Sequence, residues 1–160
     1  MLPIRSINNI DSAFVQFQNK TNRKIDVLWI NYAGGLKKYG SLQPYETLNV
    51  DTYKTHPWIF VDPTTGIKMK VGSGTVFYPL SNTEVIRILR LNADQVIRIP
   101  IPIRLPVFSL LQITSQIVLS LLKNTSDIDN LQLPLVLKQE ILKLNEEKNK
   151  IVSQYFSYEH

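Results

Sequence analysis

Apolar and polar residues alternate along the first hundred positions, and the period changes after them. FVQFQN (14–19) alternates, and NKTNR (19–23) reads as a turn. KIDVLWINY (24–32) puts Ile25, Val27 and Trp29 on one face of a strand and Leu28, Ile30 and Tyr32 on the other. Ala33-Gly34-Gly35 signals a hairpin, and Gln43-Pro44 and Pro63-Thr64-Thr65-Gly66 signal turns. Strands are expected at 47–55, 58–62, 67–71 and 75–80, with one more hairpin from 85–91 and 95–101 around Asn92-Ala93-Asp94. Short strands with turns about every 8–12 residues predict a β-sandwich or barrel.

At PIPIRLP (100–106) the character shifts. Pro100, Pro102 and Pro106 have no amide hydrogen for a ladder, so the sequence predicts a linker there. A helix is expected over 109–123 with Ser109 as its N-cap, then a polar break at 124–127. A second helical region is expected over 131–156, with Leu133, Leu137, Ile141, Leu144, Ile151 and Tyr155 at helical spacing. The fold class expected is an all-β sandwich domain, residues 1–105, followed by a small α-helical domain, residues 106–160.

The 109–123 helix carries Leu110, Ile113, Ile117 and Leu121 on one face, with Leu111, Val118, Leu119 and Leu122 widening the arc. Such a helix must be covered on more than one side. The remaining helical stretch can cover one face. Either the β-rich part or a partner protein covers the rest, and the partner is the sharper expectation. Burying two or three Leu-sized side chains would contribute about 1.5–3 kcal/mol each.

Composition narrows the function classes. The chain has 160 residues, 44% hydrophobic and 19% charged, which suits one sizeable core or a β domain plus a small helical unit. Having no cysteine excludes disulfides, cysteine nucleophiles and thiolate metal sites, and two histidines, His56 and His160, are too few for the usual imidazole-built ones. No metal and no cofactor are therefore expected. The net charge of +5 comes from scattered Lys and Arg, and Lys37-Lys38 read as a solvated turn. No basic stretch interleaves with aromatics, so nucleic acid is not an expected partner. No apolar run approaches membrane-spanning length, and MLPIRSINN has no signal-peptide core. A cytoplasmic and nuclear protein is expected.

Candidate chemistry gathers in the β-rich half. Trp29, Tyr39, Thr52, His56 and Trp58 could line one pocket, aromatic walls around a hydroxyl and an imidazole. Singly, each tryptophan reads as core and His56 as a structural histidine. Hydrolase chemistry would need an activated nucleophile and an oriented base, but there is no G-x-S-x-G and no Ser/Asp constellation for His56. The readings left are a peptide-binding β-sandwich module by itself and an adaptor that also docks a partner through the apolar helix.

Six segments resemble the von Hippel–Lindau tumour suppressor family over nearly the whole chain. RSINN is similar to its Arg-Ser-Val-Asn, and LWINYAG with YGSL is similar to its Trp-Leu-Asn-Phe-Asp-Gly and Tyr-Pro-Thr-Leu. VDTYKTHPWIF resembles its Ile-His-Ser-Tyr-Arg-Gly-His-Leu-Trp-Leu-Phe. LPVFSLLQITSQIV resembles a helix opening that carries an elongin C-binding box, here Ser109, Leu110, Thr114 and Val118. LQLPLVL resembles a cullin-selecting box, here Leu131, Leu133 and Pro134.

The resemblance implies a non-catalytic substrate receptor of a cullin–RING ubiquitin ligase. Its partners would be elongin C with elongin B, a cullin and a RING subunit, and hydroxylated hypoxia-inducible factor α. Thr52 and His56 would hydrogen-bond the 4-hydroxyl of hydroxyproline. Trp29 and Trp58 would shape the ring pocket, Tyr39 would touch the peptide beside it, and Asn8 would lie near the peptide. Thr52 stands where the family has Ser, Asp51 where it has His, Gly40 where it has Pro, Ile10 where it has Arg, and Thr114 where it has Cys. Residues 81–94 read as an insertion.

Overall fold

β1 (Ser12–Asn19) turns Ala13, Val15, Phe17 and Asn19 inward at strand spacing, and all four are buried. It is the middle strand of the first sheet. β4 (Thr47–Tyr53) pairs with it antiparallel and β6 (Ile99–Ile103) pairs parallel, giving the order β4-β1-β6. The second sheet centres on β2 (Ile25–Ile30), flanked by β3 (Leu36–Leu42) and β5 (Trp58–Val61), both antiparallel to it. The structure, a computed structural model, describes residues 3–156. His160 lies outside the described residues, as does the side chain of Tyr155.

The two sheets meet through aromatic side chains. Phe17 of β1 lies edge-on to Phe60 of β5, ring centroids 4.8 Å apart, and 5.3 Å from Trp58. Phe17 and Phe60 are fully buried, and burial of each contributes about 1.5–3 kcal/mol. Asn19 closes one end of this unit. Its amide donates to the carbonyls of Arg23, Leu42 and Gln43, and its oxygen accepts from Thr21. A buried amide with its capacity satisfied in this way fixes three chain segments at once.

Three expectations are corrected. Residues 85–91 are not a strand: Asn82–Leu89 form helix α1, closed by a capping box between Ser81 and Glu84. The expected hairpin therefore does not exist. The strand expected at 95–101 begins only at Ile99 and runs on through Pro102 and Ile103, into the expected linker, as strand β6. Its prolines are tolerated because β6 is an edge strand, where missing amide hydrogens can face away from the ladder. The strands expected at 67–71 and 75–80 shrink to single bridges, Val61–Lys68, Lys70–Arg104 and Trp58–Phe77.

The chain divides into two units. One runs to Pro63 and resumes at Lys68–Leu105; the other holds Thr64–Ile67 and the chain from Pro106 onward. The second contains helix α2 (Leu110–Leu121), a 3-10 helix (Thr125–Asn130) and helix α3 (Leu135–Phe156), with α2 packed on α3. Among its described residues, Ile128, Ile141, Ile151 and the small Ser115 are the buried side chains. Gly66 comes so close to α3 that a Cβ there would lie 2.8 Å from Lys148 Cα, and its φ of +72° is also one that side chains resist. The described residues thus comprise a β domain followed by helices.

Candidate functional site

The candidate residues come together because strand period, one bulge and one turn aim them at the same place. Thr52 shares the inward face of β4 with Val50. A turn follows, closed by the His56 amide donating to the Tyr53 carbonyl at 3.0 Å, and it brings the imidazole back toward Thr52. Trp58 opens β5, with Trp29 as its register partner on β2. Tyr39 is the residue skipped between Gly40 and Lys38 in the pairing of β3 with β2. The bulge re-aims it, and its ring meets Trp58 edge-on at 5.4 Å.

One run of hydrogen bonds crosses the site. The Trp58 indole N–H donates to Thr52 Oγ1 at 3.3 Å. Thr52 Oγ1 lies 3.5 Å from His56 Nδ1, long for a bond between these atoms. His56 Nε2 lies 3.1 Å from the Tyr32 hydroxyl. Thr52 is 5% exposed and His56 7%. The imidazole is ringed by Trp29 at 5.1 Å, Tyr53 at 5.1 Å and Tyr32 at 5.6 Å. Burial pushes its pKa below the ordinary histidine value, and the Asn8 carbonyl works weakly the other way. The ring is therefore neutral at physiological pH, and the groups around it are hydroxyls, indoles and phenols.

The segment around Ser6 is strapped across this arrangement. Ser6 Oγ donates to the Ile30 carbonyl at 2.6 Å and accepts the Trp29 indole N–H at 2.7 Å. Asn8 is tied through its backbone: its amide donates to Thr55 Oγ1 at 3.0 Å, and Thr55 Oγ1 donates to its carbonyl at 2.7 Å. Trp29, Thr52, His56, Trp58 and Asn8 are thus joined directly or through one residue, and Tyr39 joins through Trp58. The sequence reading missed Ser6 and Tyr32. Ser6 lay within RSINN, and Tyr32 lies three residues beyond Trp29, where a tyrosine replaces the phenylalanine of the similar segment.

The substituted positions around the site have definite roles. Asp51 turns outward and pairs with Arg98 at 2.6 Å, and Arg98 also donates to the carbonyls of Val15 and Val50. Gly40 sits beside the bulge, where a Cβ would make an ordinary 3.5 Å contact with Leu48. Ile10 is exposed. The 81–94 segment is held to the His56 turn by the 2.5 Å Lys54–Glu84 pair, which draws the Glu84 carboxyl down to about 2.

In the helical unit, Ser109 caps α2 by accepting the Gln112 amide, and Gln112 returns the bond to the Ser109 amide. Leu110, first in the helix, is 80% exposed. Ile113, Ile117 and Leu121 continue that exposed stripe at helical spacing, and Val118 is half-buried. The Thr114 hydroxyl donates back to the Leu110 carbonyl at 2.9 Å, so it needs no outside partner. Leu131 and Pro134 are exposed and Leu133 half-buried, just before α3.

Comparison with known proteins shows the family of the chain. A family model, the VHL beta domain, matches residues 4–85. Protein Vhl of Drosophila melanogaster is 31% identical over 140 residues, which cover 82% of this chain and 76% of that protein. The structure carries the β unit past the matched span, since β6 lies at Ile99–Ile103.

Proposed function

The chain belongs to the von Hippel–Lindau family, and from that premise we propose that it is the substrate receptor of a cullin–RING ubiquitin ligase, recognising 4-hydroxyproline in the α subunit of hypoxia-inducible factor. The β unit, as a two-sheet sandwich, binds the peptide. The helix α2 docks elongin C with elongin B, and Leu131, Leu133 and Pro134 contact the cullin that brings the RING subunit. The chain positions a substrate and performs no chemistry itself, in cytoplasm and nucleus.

One observation carries the reading: Thr52 and His56 sit side by side among aromatic rings, 3.5 Å apart with spare hydrogen-bonding capacity. A hydroxyl between them gains a donor and an acceptor, and the rings receive the pyrrolidine. Unmodified proline would desolvate the pair without using that spare capacity, at about 1–3 kcal/mol. Sites built for a hydroxyl can reject the analogue lacking it by about 10⁴-fold. Titrating matched hydroxylated and unmodified peptides tests this, and equal affinities would remove the assignment. The exposed stripe from Leu110 to Leu121 supports the docking half, and co-purification of elongin C with the chain tests it.

A further inference from the structure

Tyr32 belongs to none of the positions the hydroxyproline reading assigns, yet its hydroxyl lies 3.1 Å from His56 Nε2, closer to the ring nitrogens than the 3.5 Å of Thr52 Oγ1. We infer that Tyr32 is a positioning residue that holds His56 as its Nε2–H tautomer, so that Nδ1 faces Thr52 as a bare acceptor. This deepens the hydroxyproline reading and rests on it.

The direction follows from counting donors. Thr52 Oγ1 already accepts the Trp58 indole N–H, which can only donate. Its own proton must go elsewhere, and His56 Nδ1 is the other partner described for it. A protonated Nδ1 would aim a second donor at the same oxygen and leave the Thr52 proton without an acceptor. With Nδ1 bare, Trp58 donates to Thr52, Thr52 donates toward Nδ1, and the ring's one N–H, on Nε2, donates to the Tyr32 oxygen. Tyr32 is 46% exposed, so its own proton can go to solvent.

The arrangement suits an alcohol. An entering hydroxyl accepts from Thr52 and donates to Nδ1, completing the run without a tautomer change. The opposite tautomer would set two donors against the ligand oxygen or leave the Thr52 proton idle. Ring contacts reinforce the orientation: Tyr32 stands edge-on to His56 at 5.6 Å and to Trp29 at 5.6 Å. A phenylalanine would keep those contacts and lose only the oxygen.

Tyr32→Phe is therefore the test, read in two ways on the intact chain. Ring nitrogen chemical shifts of ¹⁵N-labelled histidine in the free wild-type protein should show His56 Nδ1 unprotonated and Nε2 protonated. In Tyr32→Phe the two nitrogens should move toward averaged shifts. Affinity for a 4-hydroxyproline peptide should fall about fivefold, the worth of one hydrogen bond, with the unmodified twin unchanged. A protonated Nδ1 in the wild type would overturn the inference, as would equal losses for both peptides. The tautomer is read without ligand, so wild-type indifference to hydroxylation would sink the pocket reading while leaving the Tyr32 result separately decided.

Discussion

The indole N–H of Trp58 donates to Thr52 Oγ1 at 3.3 Å, although Trp58 belongs to one sheet and Thr52 to the other. A residue buried against Phe17 as core thereby also orients the hydroxyl of the site. Core and candidate site share this residue: Trp58 is buried as core, and its indole N–H reaches Thr52. Trp58→Phe should keep part of the ring contact and remove the donor. Calorimetric titration should show roughly tenfold weaker hydroxylated-peptide binding, and thermal unfolding should show a loss of about 1–3 kcal/mol. Unchanged affinity would mean that the indole N–H does not orient Thr52.

His56→Ala should weaken the hydroxylated peptide by about 10²-fold or more and the unmodified peptide little, because only the former uses Nδ1. The fold should persist. The imidazole is neutral and bears no ion pair among the described residues, and the main core lies in Phe17, Phe60, Ile25 and Leu28. A collapse of the circular dichroism signal in this variant would return His56 to a purely structural role.

The same imidazole sets a pH dependence. Its folded pKa lies below 6.5, so between those two values the unfolded chain binds more protons and stability rises with pH. The contribution is fully present above the unfolded pKa and is lost as pH falls through the folded one. Peptide binding through a bare Nδ1 should follow the folded value: flat from about pH 8 down through about 6.5, then falling. Glu84, held at about 2, stays charged throughout and adds no slope. A midpoint at or above the ordinary histidine value would contradict the assignment, and the step should vanish in His56→Ala.

Where periodicity and local chemistry agreed, the sequence was readable. β1, β2 and β4 follow their alternation, and Ser109 caps α2. Trp29, Tyr39, Thr52, His56 and Trp58 converge because each lies on a strand or the turn beside it. VIRILRL misled because its β-branched alternation also fits one amphipathic face of a helix. The deciding signal was upstream, in Ser81 and Glu84 at capping-box spacing. Only the start of β6 was legible, within the strand expected at 95–101: its pairing with β1 joins residues more than eighty positions apart, Val15 with Ile99, and prolines masked its continuation to Ile103. Tyr32 and Ser6 act through side-chain bonds to residues 24 positions away, which no local pattern records.

Gly66 gives a control on the helical unit. Gly66→Ala meets both a left-handed φ and a Cβ 2.8 Å from Lys148 Cα, a backbone atom that cannot swing aside. Gly72→Ala meets a φ of +59° with nothing within 4 Å. The second should cost about 1–2 kcal/mol of conformational strain and the first roughly 1–3 kcal/mol more. Chemical denaturation of the two variants separates the terms, and equal losses would mean that the loop is not pressed against α3.

Leu110→Asp separates docking from folding. Its side chain is 80% exposed and begins α2 directly after the Ser109 cap. An acidic residue in the first turn interacts favourably with the helix dipole by about 0.3–1 kcal/mol, so the free chain should keep or slightly raise its melting temperature. In a desolvated contact with elongin C the same carboxylate would have no partner, a penalty of about 3 kcal/mol or more. Elongin C should therefore be lost from the mutant while hydroxylated-peptide affinity stays at the wild-type value. Pull-down, thermal unfolding and peptide titration on one preparation test all three parts. Retained elongin C binding would make the stripe from Leu110 to Leu121 an exposed helix face without that partner, and a fall in melting temperature would show that Leu110 packs within the chain.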